Sequence, residues 1–183
     1  MLPTVCKAIA RGGDDVEDER LLYAKYYSDV YKFVLKLTCF DKSLAEDLTQ
    51  ETFLQAFISF KRFEGRASVK TWLIAIAKNV AFAYFRKHKD RPLLTEEDIG
   101  RHSDPHVFVA TVEQREQVRC VLSVIKALPP KTADVMILRL IAELPFEQIG
   151  DQLQMSPGSA RVLFMRGKNE LLKQMKERYG YEI

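Results

Sequence analysis

Residues 68–89 decide the fold of this chain, and their sequence is SVKTWLIAIAKNVAFAYFRKHK. Apolar side chains recur in this stretch at spacings of three and four, which is the period of an α-helix. These side chains belong to Val69, Trp72, Leu73, Ile76, Ala77, Val80, Ala83 and Tyr84. Ser68 precedes the stripe and is a residue type that caps helix N-termini. The stretch therefore predicts a helix that begins after Ser68 and buries one apolar stripe. Trp72 lies on this stripe, so a place in the core is its first interpretation and contact with a nucleic-acid base is the second.

The opposite face of this predicted helix combines cations, an amide and an aromatic ring. Its members lie three, four or seven residues apart or side by side, and they are Thr71, Lys78, Asn79, Phe82, Arg86 and Lys89. Cations pair with phosphates, and unstacked bases stack on flat aromatic side chains. The face therefore predicts contact with single-stranded nucleic acid, and a solvated basic face is the plain alternative.

Helical periodicity continues on both sides of this stretch, which predicts an all-α chain. The second helix is expected to start at Ser43, because Ser43-Leu44-Ala45-Glu46 has the form of a capping box. The predicted helices besides the one after Ser68 cover residues 18–38, 43–60, 112–128, 131–142, 146–153 and 156–176. Only 8 Gly and 7 Pro in 183 residues agree with this class.

Two small helical domains are predicted, residues 1–90 and 112–183, joined by a flexible linker of residues 91–111 in which the periodicity is lost. The formal net charge of +3 is unevenly distributed. Residues 61–91 contain 9 Lys and Arg against 2 Asp and Glu, whereas residues 92–117 contain 2 against 6. A basic block between acidic stretches is the asymmetry expected of a face that meets a polyanion.

Several other classes of protein are excluded by the pattern. No catalytic constellation, phosphate-binding glycine loop or metal cluster is visible, so neither an enzyme nor a cofactor is predicted. His102 and His106 bracket Asp104 but have no fourth ligand nearby. No apolar run is long enough to cross a bilayer, which predicts a cytoplasmic protein without membrane insertion. Cys6, Cys39 and Cys120 are too far apart in sequence to suggest a disulfide framework.

Residues 146–176 have the pattern of a helix-turn-helix, in which the second helix enters the DNA major groove. Ser156-Pro157 predicts an N-cap followed by proline at the first helical position. The buried stripe of the second helix is expected at Ala160, Phe164, Gly167, Leu171 and Met175. The groove side is then formed by Ser159, Arg161, Val162, Met165 and Arg166.

Two sets of motifs resemble those of extracytoplasmic-function (ECF) sigma factors of bacterial RNA polymerase. Residues 44–53 (LAEDLTQETF), 63–65 (FEG) and 71–79 (TWLIAIAKN) are similar to the sigma-2 domain of that family. Residues 128–130 (LPP) and 146–161 (FEQIGDQLQMSPGSAR) are similar to its sigma-4 domain. Val162-Leu163 departs from the polar pair that is usual after Arg161, and such an apolar surface could also serve a protein partner.

The resemblance implies three functional surfaces. Docking on core RNA polymerase falls to Asp47, Leu48, Gln50 and Glu51. Recognition and melting of the promoter -10 element falls to Lys61, Arg62, Phe63, Ser68, Lys78, Asn79, Phe82 and Arg86. Recognition of the -35 element falls to Ser156, Gly158, Ser159, Arg161, Met165, Arg166 and Lys168.

The resemblance also implies an anti-sigma factor as a partner and a stress or envelope-response regulon. A stand-alone helix-turn-helix regulator is the alternative hypothesis. It would explain residues 146–173 but leaves the motifs of residues 44–79 without a purpose.

Overall fold

Two helical bundles form the part of the chain that the computed structural model describes, namely residues 15–60, 63, 65, 67–88 and 111–181. The first bundle comprises α1 (Asp15–Leu37), α2 (Lys42–Ser59) and α3 (Val69–Lys87). The second comprises α4 (Val112–Ala127), α5 (Pro130–Leu140), α6 (Phe146–Leu153) and α7 (Pro157–Tyr179). The described ranges contain no strand, and the all-α prediction is confirmed.

Each bundle buries a core of its own. In the first bundle, all three helices pack against one another around Val34, Phe53 and Leu73. In the second, α7 packs against the three other helices, and Leu171 of α7 and Met136 of α5 are both buried. Apolar burial of this kind is the main source of helix stability in a folded protein, since isolated helices of these lengths are marginal in water.

Side-chain caps explain where several helices begin. Ser68 Oγ accepts a hydrogen bond from Thr71 N at 3.1 Å, and Ser156 Oγ accepts one from Ser159 N at 3.0 Å. Both caps are as the sequence predicted. At α4, Thr111 and Gln114 form a reciprocal capping box.

The predicted start of α2 is wrong by one residue because a different residue is the cap. Asp41 Oδ1 accepts a hydrogen bond from Leu44 N at 3.0 Å, and the helix begins at Lys42. Ser43 lies inside the helix, so the proposed capping box does not form. Two consecutive left-handed residues, Cys39 (φ 53°) and Phe40 (φ 66°), turn the chain between α1 and this cap.

Two helix C-termini differ from the prediction by more than one residue. The fifth helix ends at Leu140 rather than at residue 142, and the chain turns at Glu143, whose φ of 59° is left-handed. The last helix continues to Tyr179 and is closed by Gly180 in the left-handed conformation. The predicted linker, residues 91–111, lies outside the described residues except for Thr111.

The turn between α6 and α7 brings the backbones of two helices unusually close. A Cβ built on Gly150 would lie 2.7 Å from the carbonyl oxygen of Met155 and 3.3 Å from Pro157 N. Both neighbours are backbone atoms, so no side-chain rotation can relieve the contact. Gly150 is therefore what permits this turn, and the turn fixes α6 against α7.

Replacing Gly150 by Ala is expected to lower the free energy of unfolding by about 1–3 kcal/mol, because the added methyl forces the backbone apart. Gly158→Ala is the matched control, since its Cβ would meet nothing closer than Ser156 Oγ at 3.8 Å. That control is expected to leave stability unchanged or raise it by up to about 1 kcal/mol through helix propensity. Urea unfolding followed by circular dichroism measures both, and equal midpoints would contradict the packing argument.

Candidate nucleic-acid interface

The polar face of α3 is only partly exposed. Asn79 and Arg86 are exposed, as predicted, and Phe82 is half-buried. Lys78, however, is 7% exposed, and Thr71 is fully buried. The expectation that all of these residues share one solvent-facing surface is therefore wrong for Lys78 and Thr71.

The second bundle covers these two residues. Lys78 Nζ donates to Asp134 Oδ1 of α5 at 2.7 Å. Thr71 Oγ1 donates to Gln148 Oε1 of α6, also at 2.7 Å. Asp134 and Gln148 gave no sign in the sequence of this role, because a contact between distant segments leaves no local pattern.

An aromatic cluster stands at the N-terminal end of α3. The rings of Phe63 and Trp72 have centroids 5.0 Å apart, and Phe60 meets Trp72 edge-on at 5.8 Å. Trp72 is half-buried, which agrees with its placement on the apolar stripe. Ser68 is exposed, and its hydroxyl is occupied as the cap of α3 and lies 2.7 Å from Thr71 Oγ1. Lys61 and Arg62, also predicted for this site, lie outside the described residues.

The outer face of α2 is acidic at one end and apolar at the other. Asp47, Gln50 and Glu51 are exposed, whereas Leu48 is buried in the core of the first bundle. The expectation that Leu48 lies on an exposed docking surface is therefore wrong, because its side chain is buried. Two apolar residues that the sequence analysis did not single out, Leu54 (54% exposed) and Ile58 (75% exposed), continue the exposed face. Their spacing of three and then four from Glu51 was the signal that could have revealed them.

The second helix of the helix-turn-helix presents its predicted groove side to solvent. All of the residues predicted to contact the -35 element are exposed: Ser156, Gly158, Ser159, Arg161, Met165, Arg166 and Lys168. Val162 is exposed and Leu163 is half-buried, so the departure from the usual polar pair places one apolar side chain on this surface. Ala160, Gly167, Leu171 and Met175 are buried as predicted, and Phe164 is half-buried.

Phe146 supports Arg161 on this surface. The Arg161 guanidinium carbon lies 5.3 Å from the centroid of the Phe146 ring, and that of Arg139 lies 5.0 Å from it. Stacking on an aromatic ring holds a guanidinium plane while its N–H groups remain available for hydrogen bonding. Arg139 also donates to Leu144 O at 2.9 Å. The sequence pattern predicted Phe146 at the start of α6 but gave no sign of its contact with Arg161.

The two described cysteines, Cys39 and Cys120, are buried free thiols. Burial raises the pKa of the Cys39 thiol, and the charges of Arg119 and Lys126 on α4 oppose that shift more weakly. The pKa of the Cys120 thiol is also raised, by burial and then by the neighbouring Glu116 carboxylate. Thiols of this kind are poor nucleophiles at neutral pH. Within the described ranges no group of metal-ligating residues occurs, and none of their helices is long and apolar enough to cross a membrane.

Comparison with known proteins accounts for both bundles. Residues 22–91 match the family model described as Sigma-70 region 2, and residues 118–171 match the model described as Sigma-70, region 4. The chain is 30% identical over 150 residues to ECF RNA polymerase sigma factor SigM of Bacillus subtilis, covering 82% of this chain and 90% of SigM. This chain belongs to the ECF sigma factor family.

Other ECF sigma factors support the assignment. SigX of Bacillus subtilis is 32% identical over 177 residues, covering 87% of this chain and 84% of SigX. Since sigma factors are non-enzymatic transcription initiation factors, the prediction that the chain is not an enzyme is confirmed. A stand-alone helix-turn-helix regulator is not favoured, because region 2 is matched as well as region 4.

Two solved structures share the fold of this ECF sigma factor. CnrH, in complex with the cytosolic domain of CnrY, has a TM-score of 0.62 at 16% identity and covers 95% of this chain and 96% of CnrH. RpoE of Bartonella quintana, in complex with the anti-sigma factor NepR, has a TM-score of 0.56 at 20% identity. That match covers 89% of this chain and 99% of RpoE.

The burial of Leu48 and the exposure of Ile58 predict opposite responses to truncation. Leu48→Ala is expected to lower the free energy of unfolding by about 2–5 kcal/mol, because it empties part of a core. Ile58→Ala, on the same helix, is expected to change it by less than about 0.5 kcal/mol. Urea titration of both variants tests this, and a stability loss for Ile58→Ala as large as that for Leu48→Ala would contradict the exposed position of Ile58.

Proposed function

We propose that this ECF sigma factor directs core RNA polymerase to promoters by reading the -35 element with α7 and the -10 element with α3 and the loop before it. The observation that carries this proposal is the exposed row of polar and cationic side chains on α7, with the Arg161 guanidinium carbon 5.3 Å from the Phe146 ring. An exposed helix face with cations near the helix N-terminus suits the DNA major groove.

Sequence discrimination at the -35 element is assigned to Arg161. A guanidinium can donate two hydrogen bonds to guanine O6 and N7, a contact that distinguishes guanine from the other bases. Ser159 and Arg166 are suited to phosphate, and exposed Met165 to a thymine methyl group. Exposed Val162 offers another apolar contact on the same surface.

Capture of the -10 element is assigned to the basic block that contains α3. Exposed Arg86 and Asn79 offer a cation and an amide, and Phe63 and Trp72 form an aromatic group beside the start of the helix. Phosphate contacts with a stacking platform can offset the few kcal/mol needed to unstack a base. Lys61 and Arg62 remain predicted contacts, and Lys78 would join them once released from Asp134.

Docking on the polymerase is assigned to the outer face of α2. Its exposed Asp47, Gln50 and Glu51 suit a basic partner surface, and exposed Leu54 and Ile58 offer apolar area for the same contact. Interfaces of this kind combine an apolar centre with a charged rim. Leu48 supports this face from within the core.

We also propose that an anti-sigma factor restrains the protein in the cytoplasm. The support is that the two structural relatives were solved as complexes, RpoE with the anti-sigma factor NepR and CnrH with the cytosolic domain of CnrY. A stress or envelope-response regulon remains a proposal that rests on the family resemblance.

Run-off transcription of fragments of the source genome by core polymerase with and without this protein tests the proposal. Glu51→Lys is expected to lower the affinity for core polymerase roughly 5- to 30-fold, because it replaces attraction by repulsion on an exposed face. Glu177→Lys, at the far end of α7, is the matched control and is expected to bind normally. Absence of any transcription start site that depends on this protein would contradict the promoter proposal. Equal affinity of the two variants for core polymerase would show that the outer face of α2 is not the docking surface.

Arg161→Ala is expected to weaken binding of a -35 duplex, taken from a promoter found by that assay, by about 1–3 kcal/mol and to relax selection at one base pair. Arg178→Ala removes the same charge from the last turn of α7 and is expected to have little effect beyond a small change in salt dependence. Fluorescence anisotropy measures both affinities. If the two substitutions weaken binding equally, Arg161 contributes only charge.

A further inference from the structure

The two bundles meet through polar contacts on the face of α3 that carries Thr71 and Lys78. Besides Lys78–Asp134 and Thr71–Gln148, Lys36 of α1 pairs with Glu143 at 3.0 Å. Lys126 Nζ of α4 lies 4.0 Å from the centroid of the Phe85 ring of α3. Charges and hydrogen bonds thus form part of this interface, beside the buried residues Ile74 and Ala81 on the same face of α3. Polar contacts of this kind are typical of interfaces between domains that can move relative to each other.

The Lys78–Asp134 pair is the more deeply buried of the two ion pairs between the bundles. The side chains of Lys78 and Asp134 are 8% and 29% exposed, whereas those of Lys36 and Glu143 are 40% and 74% exposed. A buried ammonium without an anionic partner is strongly unfavourable. In this arrangement Asp134 therefore supplies the negative oxygen that Lys78 requires.

A carboxylate oxygen 2.7 Å from an ammonium has the same charge and hydrogen-bonding role as a phosphate oxygen of a nucleic-acid strand. Gln148 adds a neutral acceptor for Thr71, one turn from the start of α3. Two side chains of the second bundle thereby occupy the groups that a DNA strand would contact. Lys78 cannot be buried against Asp134 and bind a phosphate at the same time.

We infer that the second bundle competes with DNA for the α3 face, with Asp134 as a phosphate mimic and Gln148 as its neighbour, so that the free protein is closed. This inference rests on the proposed role of α3 in binding the -10 strand. In the closed form only the exposed part of that face, including Asn79 and Arg86, remains accessible. Engagement of the strand through Lys78 requires the two bundles to separate.

The test compares the full-length wild-type protein with Asp134→Asn and with the stronger variant Asp134→Lys, which places a second cation against Lys78. Asp29→Asn is the matched control, because Asp29 pairs with Lys70 at 3.0 Å inside the first bundle. Small-angle X-ray scattering reports the separation of the bundles. Circular dichroism melting identifies any variant that has lost its fold.

DNA binding is measured with a short fluorescein-labelled thymidine oligonucleotide, since phosphate contacts do not depend on sequence. Both Asp134 variants are expected to have a larger radius of gyration than the wild type. They are expected to bind the oligonucleotide about tenfold more tightly if the open form is about one-tenth of the wild-type population. Asp29→Asn should match the wild type in both measurements, and Lys78→Ala added to Asp134→Asn should abolish the gain in affinity without closing the protein.

Two results would overturn the inference in distinguishable ways. An unchanged radius of gyration and affinity in both folded Asp134 variants would show that this pair does not hold the protein closed, while leaving the proposed function intact. Expansion without a gain in affinity would show that α3 does not bind DNA through Lys78, so the competition and that part of the proposed function would fail together.

Discussion

The burial of one ammonium group constrains the arrangement of this protein. Lys78 projects from the middle of α3 into a region that the second bundle covers, where a charge is tolerated only with a close anionic partner. Asp134 is that partner, at 2.7 Å. Because Asp134 belongs to α5, which packs within the second bundle, its ion pair with Lys78 links the two bundles. The contacts of Thr71 with Gln148 and of Lys36 with Glu143 follow on the same side.

Much of the local structure could be predicted because its causes are local. Hydroxyl caps at Ser68 and Ser156 and the period of the apolar residues determine the starts and inward faces of α3 and α7. The error at the start of α2 has an equally local reason. The N-terminus of α2 could be capped by Asp41 or by Ser43. The left-handed turn at Cys39 and Phe40 comes directly before Asp41, and it is Asp41 that caps the helix.

The candidate site was less predictable because its arrangement depends on contacts between distant segments. Periodicity identified most of the apolar stripe of α3, although Ala83 is exposed and Ile74 and Ala81, outside the predicted stripe, are buried. A polar face can also meet either water or another part of the protein. Nothing near Lys78 in sequence distinguishes these cases, since Asp134 is 56 positions away. The error on α2 was of a different kind, because the helical period alone separates buried Leu48 from exposed Ile58. The exposed side of α7 was predictable because its buried stripe follows the helical period. This stripe includes Gly167, where a Cβ would lie 2.8 Å from Met136 atoms.

The geometry of α6 limits how the bundles can separate. Gln148 of this eight-residue helix reaches α3, and the ring of Phe146, two positions earlier, lies 5.3 Å from the guanidinium carbon of Arg161 on α7. Ile149 and Gly150 are buried, and the close backbone approach at Gly150 restricts movement of α6 against α7. Release of α3 by bending α6 away would therefore disturb the support of Arg161. Movement of α4–α7 as one body breaks the ion pairs and hydrogen bonds between the bundles, whose groups water can then solvate, and leaves the contact of Phe146 with Arg161 intact. The close backbone approach at Gly150 thus favours separation of whole bundles over bending of α6.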